Sequence, residues 1–303
     1  MTVLILNGDY LMECSVWMLI GAALLAACVG MLTGIFGIGG GFLTTPALMI
    51  FLGVPGAIAV GTDMAMIGFT SSFGVYKRHK SNTIDFKLAA IMATTTSIGV
   101  VLGLWILERL KTMPPLVIRG KEQVAAQYIL LIVFAFILAI IAVILLLEYR
   151  KEPSPIPAKG WFTKIGFPPY VGLSSLGEQT IPLIPVLSLG FVVGMLNGLL
   201  GIGGGVILLP ALIYLVGQKA SKAAGTSLMV VWFTTLVAVV GHVKNGNINY
   251  YLLAAMMAGG LIGTHYGTFI GLKMHDHKLH FYFSFVVLAA VIMISWKIIY
   301  ITF

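Results

Sequence analysis

Two stretches of the chain could present backbone donors to a small anion. GIFGIGGGFLTTPAL runs over 34–48 and GLLGIGGGVILLPAL over 198–212. Gly37, Gly39, Gly40 and Gly41 precede Pro46, and Gly201, Gly203, Gly204 and Gly205 precede Pro210. Glycine and proline are the poorest residues in a helix interior. The pattern therefore predicts a helix that breaks at the glycines and a short helix that restarts near the proline. A restarting helix aims unbonded N–H groups and about half a positive charge at the break. Glycine lets a ligand approach that backbone with no Cβ in the way. The chemistry on offer is capture of a small oxyanion, largely without charged side chains. Close helix packing through small residues is the competing use of such glycines. A nucleotide-binding glycine loop would need a preceding strand and a βαβ unit, which apolar sequence of this kind does not supply.

Proline suits the first turn of a helix, and Thr45 just before Pro46 has the chemistry of an N-cap. The first short helix is therefore expected to start at 43–46, with Leu209 replacing the cap in the second copy. Asn197, whose counterpart is Thr33, could donate an amide to an anion or bond to a neighbouring helix. Thr62, Thr226 and Ser227 could donate hydroxyls in the same region, or act as local caps. Asp63 is the acid that falls within an expected span, and intramembrane ionisable groups are functional candidates. Protonating it would remove a charge that repels an anion, which makes it a coupling candidate. Otherwise it is an interfacial residue near a helix start. His265, in GTHYGT, could also carry a proton or serve as a hydrogen-bonded core histidine. His275, His277 and His280 read as a solvated loop, since no second ligand cluster accompanies them, and no metal or cofactor is expected. Cys14 and Cys28 suggest neither a disulfide framework nor a metal site.

These residues need a scaffold, and composition says where it sits. Of 303 residues, 59% are hydrophobic and only 9% charged, against about 25% charged in a soluble domain. Lipid must be the solvent for most of the chain. A crossing helix takes about 20 apolar residues. Eight spans are expected, at 16–36, 58–76, 86–107, 126–148, 183–200, 222–242, 250–272 and 280–301. Two half-length pieces, 42–53 and 206–216, follow the glycine clusters. The stretch 150–182 is rich in Pro, Gly and Ser and reads as a linker, with Trp161, Phe162 and Phe167 placed to rest at lipid headgroups. The N-terminus lacks the basic n-region of a signal peptide.

The glycine strings begin a longer match. An offset of 164 pairs Gly34 with Gly198, Pro46 with Pro210, Gly53 with Gly217, Thr62 with Thr226, Gly99 with Gly263 and Gly103 with Gly267. The chain thus reads as a first transmembrane repeat (1–149), a linker (150–182) and a second repeat (183–303). Each unit holds an odd number of crossings, so the second copy enters from the opposite face. With 76–87 cytoplasmic, 12 basic residues fall inside and 5 outside, Lys297 being left out as a snorkelling residue. The fold class is an all-α polytopic membrane protein of two inverted repeats, about 8 full helices plus two half-helices. Many secondary transporters are built this way.

The net charge of +8 sits in short clusters between apolar runs, as expected beside anionic lipid and not for nucleic acid. Partners are therefore a lipid bilayer and a small anionic substrate; self-association stays open.

The two GxGGG…P strings, each followed by GT (GTDM and GTSL), resemble the sulfite exporter TauE/SafE family of membrane transporters. The resemblance covers nearly the whole chain. It implies a multi-pass protein of a bacterial or archaeal plasma membrane that carries small sulfur-containing anions such as sulfite or sulfonates, coupled to an ion gradient. Asp63 stands where the second copy has Ser227, which makes the hydroxyl site asymmetric. An anion channel with the same site and no alternating access is the alternative. An enzyme is not expected: the spans hold no paired carboxylates, nucleophile–base pair or metal cluster.

Overall fold

The computed structural model describes residues 2–302 except 8–9, 115, 119–120, 124, 150–159, 165, 174 and 176–179. Arg119, Arg150, Lys151 and Lys159, counted above as loop charges, lie outside the described residues, as do the side chains of Cys14, His277 and His280.

Ten α-helices are described: α1 (Val16–Phe36), α2 (Gly41–Phe51), α3 (Gly56–Lys80), α4 (Phe86–Lys111), α5 (Ala125–Tyr149), α6 (Leu183–Leu200), α7 (Gly205–Ala211), α8 (Ala220–Lys244), α9 (Tyr250–Lys273) and α10 (Asp276–Thr302). A π-helical turn, Leu212–Val216, extends α7. Three short antiparallel hairpins pair Thr2–Asn7 with Tyr10–Ser15, Leu116–Ile118 with Lys121–Gln123, and Tyr170–Gly172 with Thr180–Pro182. Among the described residues, seven helices are long and apolar enough to cross a membrane. The eighth expected span, α9, is 24 residues long, which at 1.5 Å per residue is about 36 Å. Its glycines and threonines lower its hydropathy, and they have a packing role. The molecule is an all-α polytopic membrane protein.

Small residues set how the helices meet. A Cβ on Gly30 or Gly34 of α1 would collide with the α9 backbone at Gly260, Thr264 and Gly267. A Cβ on Gly194 or Gly198 of α6 would collide with the α4 backbone at Thr96 and Val100. Each contact maps onto the other at the offset of 164. The helix α1 therefore packs, backbone to backbone, on α9, and α6 on α4, as small residues permit in lipid. The helices α3 and α8 pack together inside these pairs, and α5 packs on α10.

The second junction between the halves is polar. The Thr62 hydroxyl accepts the N–H of Asn249 at 3.0 Å, and the Thr226 hydroxyl accepts the N–H of Asp85 at 3.0 Å. Asn249 and Asp85 are themselves equivalent, and each caps its own helix: Asp85 Oδ1 accepts from Leu88, and Asn249 Oδ1 from Tyr251 and Leu252. All four residues are buried.

Three expectations are corrected. Thr45 does not cap α2, which starts at Gly41 and carries Pro46 as its sixth residue; α7 likewise carries Pro210 as its sixth. The cap is Gly40 (φ 80°, ψ −19°), whose left-handed backbone turns the chain and whose carbonyl accepts from Leu43 and Thr44 at 2.9 and 3.2 Å. That starts the helix five residues before the proline. Phe162 is buried and does not reach the headgroups, because Gly160 seats the Trp161–Lys164 turn on the backbone of Leu215 and Val216; Trp161 and Phe167 are exposed. Arg78, counted as a loop charge, is 1% exposed in the last turn of α3.

Candidate functional site

Both glycine clusters break their helices with the same backbone. Gly37 ends α1 at φ 71°, ψ 31°, and Gly201 ends α6 at φ 70°, ψ 23°. Each donates its N–H back to the residue four before it, Thr33 or Asn197, at 2.8 Å. Gly204 caps α7 at φ 73°, ψ −24°, matching Gly40. L-residues pay a steric cost in this region, so both cap positions require glycine. Between the caps, the N–H groups of Ile38, Gly39 and Gly40, and of Ile202, Gly203 and Gly204, form no hydrogen bond among the described residues. Unpaired buried donors are rare, and here they recur at equivalent positions.

The two breaks touch. A Cβ on Gly203 would lie 3.5 Å from Gly39 Cα. A Cβ on Gly41 would collide with the Gly201 carbonyl, and one on Gly205 with the Ile38 carbonyl. All of Gly37–Gly41 and Gly201–Gly205 are buried. An anion held between Gly39 and Gly203 therefore requires these backbones to part.

The side chains named from sequence divide into three groups. Ser227 Oγ donates to the Gly37 carbonyl at 2.7 Å. On the other side, Thr45 Oγ1 lies 2.7 Å from Asp63 Oδ2 and 3.3 Å from the Gly201 carbonyl. Asp63 is fully buried, its Oδ1 has no partner, and no basic group pairs with it among the described residues. Asn197 packs under Gly204, with a Cβ there 3.8 Å from its Cγ. Its Nδ2 donates to Thr234 Oγ1 at 3.4 Å. Thr234 gives its own proton to a main-chain carbonyl, of Val231 at 2.9 Å or Val230 at 3.0 Å, so its oxygen must accept. Asn197 Oδ1 is left buried and unpartnered. Thr33, its counterpart, is satisfied by Val29 at 3.0 Å.

Thr62 and Thr226 stand one residue away but accept backbone N–H groups at the junction of the halves. His265 is not brought to the breaks: it is exposed, with its ring stacked 5.3 Å from Phe73 and its carbonyl accepting from Lys77 at 3.1 Å. Among the described residues no three His, Cys, Asp or Glu gather as metal ligands.

Sequence reasoning missed Arg78, whose Nη2 donates to the carbonyls of Gly34 and Ile35 at 3.0 Å each. It places a positive charge at the C-terminal, electronegative end of α1, one turn before the break. At the offset of 164 its equivalent is His242, also buried, beside Asn247 (3.4 Å) and the Glu108–Lys111 ion pair (3.0 Å) that Asn247 bridges. Only the repeat offset could have flagged that pair.

The profile of the family described as Sulfite exporter TauE/SafE matches residues 22–294. The chain is 28% identical over 282 residues to the probable membrane transporter protein YjnA of Bacillus subtilis, covering 92% of this chain and 98% of that one. It is 25% identical to the probable membrane transporter protein YunE of the same organism, covering 86% and 90%. A probable membrane transporter protein of Xylella fastidiosa is 23% identical, covering 89% and 92%. No solved structure matches the chain significantly.

Proposed function

The chain belongs to the sulfite exporter TauE/SafE family of membrane transporters, and from that premise we propose that it is a secondary transporter for a small sulfur-containing oxyanion, sulfite or an organic sulfonate such as sulfoacetate. The observation that carries the reading is the meeting of Gly37–Gly40 and Gly201–Gly204. They are two helix breaks of the same backbone form, each with three unbonded N–H groups, pressed together inside the protein. Such groups are costly in a dry interior, and a negatively charged solute is their natural partner. Ser227, Asn197 and Thr45 surround the breaks and can donate to the same ligand.

The breaks in contact represent an occluded arrangement. Substrate enters when they part toward one side and leaves when they part toward the other, and two inverted halves would supply those two openings. Asp63 is the coupling group. As a carboxylate it repels the anion; its protonation removes that repulsion as the breaks close on the anion, so a proton and an anion cross in one cycle.

The test is binding to the full-length protein in detergent, across sulfite, sulfate, sulfoacetate, taurine and thiosulfate. A ligand at 100 times its Kd stabilises the folded state by about 2.7 kcal/mol, readable as a rise in Tm. Stabilisation by sulfite or a sulfonate supports the reading, and no shift with any member of the panel contradicts it.

A further inference from the structure

The two halves treat their break carbonyls differently. In one, Ser227 gives its proton to the Gly37 carbonyl at 2.7 Å. In the other, the position equivalent to Ser227 is Asp63, which as a carboxylate has no proton to give. The hydroxyl that reaches the Gly201 carbonyl comes instead from Thr45, and it is shared: 2.7 Å to Asp63 Oδ2 and 3.3 Å to Gly201 O. A hydroxyl has one proton. It goes to the carboxylate while Asp63 is ionised, because charge-assisted bonds are the stronger. Once Asp63 takes a proton from water, its own O–H donates to Thr45 Oγ1, and Thr45 turns its proton to Gly201.

We propose that Thr45 is a positioning residue that relays the protonation state of Asp63 to the break of the opposite half. Ionised Asp63 leaves the Gly201 carbonyl unbonded and the second break free to part from the first. Protonated Asp63 bonds that carbonyl through Thr45, giving Gly201 an anchor like the one Ser227 gives Gly37. Proton binding and closure of the second break become one event. This rests on the transport reading above and gives its coupling step a mechanical route.

The surroundings leave Asp63 as the group that titrates at this point. The short helix α2 carries no titratable side chain; α1 carries Cys28, which is exposed, and the described part of α5 carries Tyr128. On α8 stand Lys222, His242 and Lys244, and on α9 Tyr250, Tyr251, His265, Tyr266 and Lys273. None of these forms a hydrogen bond or ion pair with Asp63. Among the described contacts, the Glu108, Lys111 and His242 group reaches α3 only through Asn247, whose carbonyl lies against Gly61.

The experiment is amide hydrogen exchange on the full-length protein in lipid nanodiscs over a pH series, with each rate divided by the unstructured-chain rate at that pH. In the wild type, protection of the segment after Gly201 rises as pH falls, while the segment after Gly37 stays level. Thr45→Val abolishes the rise; Thr45→Ser, which keeps the hydroxyl, restores it. Asp63→Asn, whose amide donates to Thr45 at every pH, holds the second segment protected throughout. The level segment after Gly37 reports that each variant is folded. A wild-type rise persisting in Thr45→Val overturns the relay. Sulfite counterflow in liposomes is measured alongside. Absent flux with the protection pattern intact defeats the transport reading alone, and intact flux with Thr45→Val behaving as wild type defeats the relay alone.

Discussion

The hydroxyl of Ser227 donates to the carbonyl of Gly37 at 2.7 Å, across 190 residues of chain. It ties α8 to the helix break at the end of α1. Gly37 ends α1 with its carbonyl buried, so this bond decides whether that carbonyl is satisfied. Ser227→Ala leaves it orphaned, and a buried unsatisfied acceptor costs about 1–3 kcal/mol. Thermal unfolding in detergent checks this as a fall in Tm, with Ser227→Thr, which keeps the hydroxyl, falling less.

Arg78 satisfies two more carbonyls at the same helix end, Gly34 and Ile35, from a position 1% exposed. Arg78→Met keeps the apolar stem and loses both bonds and the charge at the negative end of α1. The expected destabilisation is about 2–3 kcal/mol. Arg78→Lys recovers part of it, since one ammonium cannot match the guanidinium fork. Paired melts of the two variants test the order.

Gly99 and Gly263, 164 residues apart, sit in matching close contacts. Gly263 lies on the backbone of Ala27 and Met31, and its counterpart Gly99 on that of Phe191 and Met195. A methyl at either site meets main chain, which cannot step aside, and overpacking of this kind costs about 1–3 kcal/mol. Gly263→Ala and Gly99→Ala are expected to lower Tm by similar amounts. They lie in separate interfaces, so the double variant is expected to show the sum.

The proposed coupling gives Asp63 and His265 different roles. An ionised Asp63 repels an anion and a protonated one does not, so under that proposal sulfite flux is expected to rise as pH falls through the carboxyl titration. Asp63→Asn carries no charge at any pH and loses that dependence. His265 is exposed and away from the breaks, so His265→Asn keeps it. Flux into proteoliposomes at several pH values distinguishes the two.

Much of this was legible in the residues, and the misses have physical causes. Two glycine clusters followed by proline announced two breaks and two short helices, because glycine takes the left-handed backbone seen at Gly40 and Gly204 at the least steric cost. Proline's preference for a first turn places the start of α2 near 43–46, but the helix starts at Gly41. In both short helices the proline is the sixth residue, since the glycine cap had already turned the chain. Thr45 thereby changed role from cap to bridge between Asp63 and Gly201. Asp85 and Asn249 carried a readable signal, cap-forming residues at the offset of 164 ahead of apolar runs. Arg78 carried only the offset that pairs it with His242: among Lys77, His79 and Lys80 it otherwise reads as one more solvated charge, and the fold turns it inward. Asp63 and Ser227 were visible as a broken symmetry, but the partner that gives the break its meaning lies on another element.

Counterflow in proteoliposomes tests the central claim most directly. Vesicles holding the full-length protein are loaded with unlabelled sulfite, and uptake of radiolabelled sulfite is followed from outside. The account predicts that internal sulfite accelerates uptake, and that Ser227→Ala with Asn197→Ala slows it while the protein remains folded. Uptake indifferent to internal sulfite would indicate a channel, and no uptake of sulfite or sulfoacetate by folded protein would contradict an anion site at the paired breaks.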